Sequence, residues 1–216
     1  MCCGNIDRAF QTRQAALMPS SMPAFDFPEE AVQAYALNDR MNQVLLEHLD
    51  PRAWRSKSPG QKGRTLADIF AHVHNIRCKW LRLSARHLKP PARLDRSRCT
   101  QKQAQAALAE SADRCSQMLA EALSAPQSRV QSFVRDGWAR PWPPGIAMFA
   151  YMITHDAHHR GQACMLAHQL GFPLTGQAAY GLWVWEKLAK ECGFQLVAYG
   201  KAKRPTASGR SNPKSK

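Results

Sequence analysis

A long helical segment with two histidines in the middle of its apolar face constrains the fold of this chain more than any other pattern. The segment covers residues 145–170 and ends at Gly171, with Pro173 beyond it. At about 100° per residue, its core-facing residues fall within roughly 40° of one direction. These residues are Met148, Met152, Leu166 and Leu170. His155 and His159 lie in the centre of this stripe, one turn apart, so the pattern predicts a helix that carries two imidazoles into the interior.

Two buried imidazoles must be hydrogen-bonded, paired with a charge or bound to a metal, because an unpartnered polar group in a core is costly. A separation of four residues is the spacing at which two histidines of one helix can bind the same divalent ion. The alternative is two core histidines that are each hydrogen-bonded to a neighbouring helix. The position of the pair in the apolar stripe favours the metal.

Helical periodicity recurs in four further segments, which proline and glycine separate from one another. The predicted helices run from the N-cap Asp26 to about Leu49, from the N-cap Thr65 to about Leu88, from Thr100 to about Leu123, and from about Gly176 to Cys192. Residues 126–144 predict a loop with one short extended piece around Val130–Val134. No convincing sheet is present. The expected fold is therefore all-α, an up-down four-helix bundle with an additional C-terminal helix.

The positive charge is concentrated at the end of the sequence. The formal net charge is +14, and residues 199–216 contain six lysines and arginines and no acidic residue, which leaves +8 for the rest. This composition predicts a disordered basic tail, whose attraction to phosphates supports at most weak nucleic-acid binding. Residues 1–24 are expected to form a flexible leader, and residues 25–198 the helical bundle.

The sequence shows neither a membrane span nor a secretory signal. No apolar run approaches the ~18 residues of a membrane helix, and the first residues lack a continuous apolar region. The seven cysteines are scattered and form no CxxC pair, which is typical of reduced thiols. We therefore expect a cytoplasmic protein with no membrane contact.

A third metal ligand is expected from the second predicted helix. Catalytic zinc and related ions use three protein ligands and keep one position open. This helix offers His72 and His74, which are about 200° apart and so cannot both face one ion. Each lies on a flank of the apolar face, so periodicity leaves both open.

Two blocks of the sequence resemble the DinB/YfiT family of helical-bundle metal proteins. The block ADIFAHVHNIRCKWL places His72 eight residues before Trp80, and YMITHDAHHRGQACMLAHQLG contains the pattern HxxxHRGQ, which begins at His155. The resemblance covers about residues 28–193. It implies a divalent-metal site formed by His72, His155 and His159.

Four further residues are expected around these ligands rather than on the ion. His74 and His158 are neighbours of the predicted ligands in sequence. Arg160 is expected to pair with a carboxylate of another helix. Gln162 points toward the apolar stripe, where it is placed to orient a ligand histidine.

The resemblance implies a metal-dependent enzyme of the thiol S-transferase or hydrolase type that acts on a small molecule. Three imidazoles accept Zn, Ni, Fe or Mn, and a low-molecular-weight thiol is the second implied cofactor. A homodimer through helix faces is expected. The alternatives are a non-catalytic, stress-associated metal-binding protein and a weak nucleic-acid binder through the basic tail. A zincin-type protease is disfavoured, because HDAHH has Asp156 where the motif HExxH has glutamate.

Overall fold

Four long helices dominate the computed structural model of the chain, which describes residues 26–57, 63–124, 129–130, 132–135, 138–141 and 146–194. The helices are α1 Phe27–His48, α2 Leu66–Ser84, α3 Gln101–Ser124 and α4 Ile146–Gln169. The predicted leader and basic tail, residues 1–24 and 199–216, lie outside the described residues. No helix in the described part has the combination of length and apolarity that crossing a membrane requires.

Local chemistry determines where the long helices begin and end. The Asp26 carboxylate accepts a hydrogen bond from the Glu29 backbone N–H at the start of α1, at 3.2 Å. Thr65 and Asp68 form a reciprocal capping box at the start of α2. Gly171 follows α4 with a φ of 81°, a conformation that glycine adopts without strain. The predicted beginnings of these helices are thus confirmed to within a residue.

The second helix ends at Ser84, about four residues before the predicted end near Leu88. The chain then folds back along α2, and Asn75 holds the returning segment. Its amide nitrogen donates to the Leu94 carbonyl oxygen at 3.0 Å, and its amide oxygen accepts from the Leu94 N–H at 2.9 Å. These hydrogen bonds hold the segment that follows the early end of α2 against the helix.

The four helices form a bundle in which α1 and α2 are diagonally opposite, since each of them packs against both α3 and α4. The contacts between facing residues give the direction of each helix. The parallel pairs are α1–α4 and α2–α3, and the antiparallel pairs are α1–α3 and α2–α4. The predicted all-α four-helix bundle is confirmed. The up-down order holds from α1 to α2 and from α3 to α4, whereas α2 and α3 run in the same direction. This arrangement places α2 directly beside α4.

The region expected to be mostly loop contains a two-stranded antiparallel hairpin. Its strands are β1 Ser132–Arg135 and β2 Trp138–Pro141, so the extended piece expected around Val130–Val134 is paired with a second strand. Strand β1 packs against α2. Phe133 is fully buried there, with its ring 6.1 Å from that of Trp80. This contact with α2 is a tertiary interaction that local sequence does not reveal.

The single helix predicted over residues 176–192 is instead two short helices, α5 Gly176–Gly181 and α6 Trp185–Glu191. The break between them allows Leu182 and Leu188 to reach the same apolar cluster. Both side chains are buried, and each buried leucine contributes about 1.5–3 kcal/mol to the packing of this segment.

The bundle core consists of two apolar clusters with buried polar residues between them. One cluster includes Leu45, Phe70, Leu108 and Ala163. The other includes Tyr35, Trp80, Met118 and Met152. The buried polar residues at the middle of the bundle include Asn38, Asp39, Arg77 and Asp156. The histidines of α2 and α4 lie next to this polar layer.

Candidate metal centre

Three histidines from two antiparallel helices meet at one point of the bundle. His72 lies in the second turn of α2, and His155 and His159 lie one turn apart on α4. The ring centroid of His72 is 5.6 Å from that of His155 and 4.7 Å from that of His159, and the centroids of the two α4 rings are 4.6 Å apart. His159 is buried, and the other two are half-buried. The structure thus brings together the three residues that the sequence resemblance implies.

The cluster has the dimensions of a metal site. Each of the three imidazoles offers one ring nitrogen, and these nitrogens all lie within 4.8 Å of one another. Nitrogens that bind one zinc ion at about 2.1 Å would lie roughly 3.4 Å apart. The observed spread is larger than this by at most about 1.4 Å. The donor set therefore fits a divalent ion that accepts imidazole, such as Zn, Ni, Fe or Mn.

Gln162 controls which nitrogen of His159 is available. The Nδ1 of His159 is 2.8 Å from the Gln162 amide oxygen, so Nδ1 carries the proton and donates it. The Nε2 atom then keeps its lone pair for a metal. The Gln162 amide nitrogen in turn lies 3.0 Å from Nε2 of His158. His158 is exposed and supports Gln162 rather than joining the cluster.

His74 lies outside the cluster. Its ring is fully buried, with Nδ1 2.9 Å from the Ala107 carbonyl oxygen and Nε2 2.8 Å from that of Ala92. Burial lowers the pKa of His74, although these two carbonyl contacts act in the opposite direction. Because both nitrogens face backbone acceptors, the ring connects α2 to α3 and to the segment that returns along α2.

Burial keeps His72 and His159 in the form that binds metals. Burial, followed by the nearby His159 and His155, lowers the pKa of His72 to about 4. Burial also lowers the pKa of His159, although its hydrogen bond to Gln162 acts in the opposite direction. Both rings are therefore neutral at pH 7, and a neutral imidazole has the lone pair that a metal ligand needs.

A buried ion network lies directly behind His155, and the sequence analysis did not identify it. Arg77 is fully buried and donates to Asp156 at 2.5 Å, to Asp39 at 2.7 Å and to the Leu108 carbonyl oxygen at 3.1 Å. The other carboxylate oxygen of Asp156 is 3.5 Å from Nδ1 of His155. The network thus connects a predicted ligand to α1 and α2. Charged residues at core-facing helical positions were the sequence signal that could have revealed it.

Burial and the Arg77 charge act differently on the two carboxyl groups of this network. Burial alone would raise the pKa of Asp156, but the Arg77 guanidinium, together with His155, lowers it to about 2. At Asp39 burial exceeds the effect of Arg77, and the pKa is raised. Arg77 thus favours the charged form of both carboxyl groups, and only at Asp156 is burial outweighed.

Arg160 contacts amides instead of the carboxylate that was expected from the sequence. Its guanidinium donates to the amide oxygen of Asn42 at 2.8 Å and to that of Asn38 at 3.1 Å, both on α1. The amide nitrogen of Asn38 donates to Asp156 at 2.9 Å. Because Arg77 already pairs with Asp156, the asparagines provide the acceptors for Arg160. Arg160 therefore joins α4 to α1 and does not reach the histidine cluster.

The fold and the cluster define a helical-bundle protein with three converging histidines. The profile of the DinB family matches residues 21–186, which is most of the chain. The protein belongs to the DinB family. No protein with a curated description and no solved structure matches it.

Proposed function

We propose that the protein is a metal-dependent enzyme that binds one divalent ion through His72, His155 and His159 and acts on a small molecule. The observation that carries this proposal is the convergence of three imidazoles, two of them kept neutral by their surroundings, at a single point between α2 and α4. In the described part of the chain, the cluster has these three members and no carboxylate or thiol. Three protein ligands are typical of catalytic rather than structural sites.

The proposed reaction type is thiol S-transfer or hydrolysis. A divalent ion held by neutral imidazoles keeps its full charge, and it would lower the pKa of a thiol or water bound to it. The residues of the chain position the ligands: Gln162 holds Nδ1 of His159, and Asp156 lies beside Nδ1 of His155. Thiol transfer is expected to use a low-molecular-weight thiol. A homodimer through helix faces stays a prediction.

Elemental analysis of untagged protein tests the metal site. We expect about one equivalent of a divalent metal per chain, the stoichiometry of a single three-histidine site. A His155→Ala/His159→Ala variant is expected to lose it. His168→Ala is the matched control, because His168 is an exposed histidine of the same helix outside the cluster. This variant should retain the metal.

Elemental analysis, activity assays and deletion of the basic tail together separate the proposed enzyme from its alternatives. If the folded wild type is metal-free and takes up neither Zn, Ni nor Mn, the proposal is wrong and the histidines are core residues. Stoichiometric metal without activity toward any thiol or ester substrate would favour a non-catalytic metal-binding protein. If the protein is instead a nucleic-acid binder, its binding to nucleic acid should disappear when residues 199–216 are deleted.

A further inference from the structure

Two exposed arginines lie at the rim of the histidine cluster. Arg96 belongs to the turn that precedes α3, and its guanidinium Nη2 is 3.5 Å from Nδ1 of His72. Arg64 directly precedes Thr65, the N-cap of α2. The charge of Arg64 acts on both His72 and His159, and that of Arg96 acts on His72. Arg96 thus touches the cluster, while Arg64, on a different segment of the chain, acts on it through its charge.

Carboxylates near these arginines are already engaged by other groups. The Asp68 carboxylate, which experiences the charge of Arg96, accepts hydrogen bonds from the backbone N–H and the hydroxyl of Thr65 at 2.9 and 2.8 Å. Asp95 pairs with Arg98 at 3.0 Å. In the described part of the chain, neither Arg64 nor Arg96 forms a salt bridge.

The contact between Arg96 and His72 is too long to hold the arginine in place. At 3.5 Å it is at the limit of a hydrogen bond, and the arginine is exposed. The side chain is therefore free to turn toward an incoming group. Arginine is suited to this task, since its planar guanidinium binds carboxylate or phosphate oxygens in a bidentate manner.

A divalent ion on the three imidazoles would add positive charge beside Arg96 and Arg64, neither of which forms a salt bridge with a described carboxylate. We propose that the substrate of the site is anionic: it carries a carboxylate or phosphate group, which Arg96 and Arg64 bind, a few bonds away from the atom that binds the metal. This inference rests on the metal site of the proposed function. The two arginines are specificity-determining residues, because they contact the substrate away from the reacting atoms.

Cobalt-loaded protein and small thiols of different charge test the proposal without measuring activity. Thiolate binding to Co(II) produces a charge-transfer absorption band, from which a Kd is obtained by titration. The probes are 3-mercaptopropionate, 2-mercaptoethylphosphonate, the neutral 2-mercaptoethanol and the cationic cysteamine, each corrected for its own thiol pKa. We expect the two anionic thiols to bind at least about tenfold more tightly than 2-mercaptoethanol, and cysteamine to bind most weakly. The anionic thiol with the lower Kd shows whether the site prefers a carboxylate or a phosphate group.

Substitution of the arginines assigns the preference to them. In Arg64→Gln/Arg96→Gln the advantage of the anionic thiols is expected to fall to about twofold or less, while the Kd of 2-mercaptoethanol stays unchanged. Arg86→Gln is the matched control, because Arg86 is an exposed arginine just beyond the far end of α2. It should keep the wild-type preference.

The outcomes separate this inference from the proposed function. If Co(II) is bound but charge has no effect on thiol affinity, or if the double variant keeps the preference, the anionic-substrate proposal is wrong and the metal site stands. If Co(II) is not bound, the proposed function fails and this inference fails with it. If Co(II) is bound without a thiolate band, acetate and inorganic phosphate are titrated against the visible cobalt spectrum. Weaker binding in the double variant than in the wild type then supports the inference, and equal binding overturns it.

Discussion

Removal of Arg77 is expected to destabilise the protein more than any substitution on its surface. Arg77 is fully buried and contacts two carboxylates, Asp156 at 2.5 Å and Asp39 at 2.7 Å. In Arg77→Met the side chain keeps much of its apolar volume but leaves both carboxyl groups without a cation. The variant therefore measures the free energy of buried charge rather than that of a cavity.

The expected size follows from the geometry of the network. Breaking a buried ion pair by removing one partner typically costs about 3–5 kcal/mol, because the other charge stays buried and uncompensated. Although burial opposes it, Arg77 and His155 lower the pKa of Asp156 to about 2, so this carboxylate is charged at pH 7 and would be left without its buried cation. A loss of 3–5 kcal/mol is a large part of the ~5–15 kcal/mol by which a typical domain is stable.

Urea unfolding followed by far-UV circular dichroism gives the free energy of unfolding at pH 7. Arg82→Met is the matched control, because Arg82 is an exposed arginine of the same helix. It should change the free energy by less than about 0.5 kcal/mol. In Arg77→Met/Asp39→Asn/Asp156→Asn the uncompensated charges are gone, so this variant should recover most of the loss.

The pH dependence has a defined sign. A carboxyl group with a lowered folded-state pKa stabilises the protein above its unfolded pKa, and this stabilisation is lost as the pH falls through the folded pKa. For Asp156 the loss falls between about pH 4 and pH 2. Asp39 acts in the opposite direction because burial raises its pKa, so the comparison is made in an Asp39→Asn background. In that background, Arg77→Met should lack the acid-induced loss of stability.

Two results would refute this reasoning. One is a cost below about 1 kcal/mol for Arg77→Met at pH 7, which would be typical of a solvent-screened ion pair. The other is a triple variant no more stable than Arg77→Met, which would mean that the cost arises from packing around residue 77 rather than from charge.

Two further predictions concern the histidines. Gln162→Leu removes the acceptor that holds Nδ1 of His159 and should weaken metal binding about 10–100-fold in a chelator competition. Its free energy of unfolding should be nearly unchanged, because Gln162 is exposed. Gln162→Glu keeps an acceptor oxygen, so its metal affinity should stay closer to that of the wild type. In the metal-free protein, the lowered pKa of His72 means that the unfolded chain binds more protons between about pH 6.5 and pH 4, so stability should fall as the pH falls through this interval. His72→Gln should show a smaller decrease in urea unfolding, and an equal decrease in the two proteins would contradict the burial of His72.

The local sequence was a reliable guide to the long helices and to the pair on α4. Asp26, Thr65 and Gly171 mark helix ends that the structure confirms, because capping and left-handed glycine geometry depend on residues within a few positions. The spacing of His155 and His159 is likewise a property of one helix, since residues four apart share a face in any α-helix. These features can be predicted without knowing which elements pack against the helices.

The choice between His72 and His74 shows where local information ends. Both residues lie on flanks of the same helix, and only the antiparallel placement of α2 beside α4 brings His72 to the pair while His74 faces two backbone carbonyls. The hairpin on α2 and the segment that returns along that helix also depend on contacts between distant segments. Periodicity describes one element at a time and therefore does not report them.

The amino-acid order alone specifies the long helices of the bundle, most of their ends, and the one-turn separation of two imidazoles, because each depends on neighbours along the chain. The tertiary structure decides which helices face each other, which histidine completes the cluster, and that Arg77 joins Asp39 and Asp156 behind it. These are contacts between residues far apart in sequence. Their free energies depend on burial and on charges that meet only when the bundle has formed.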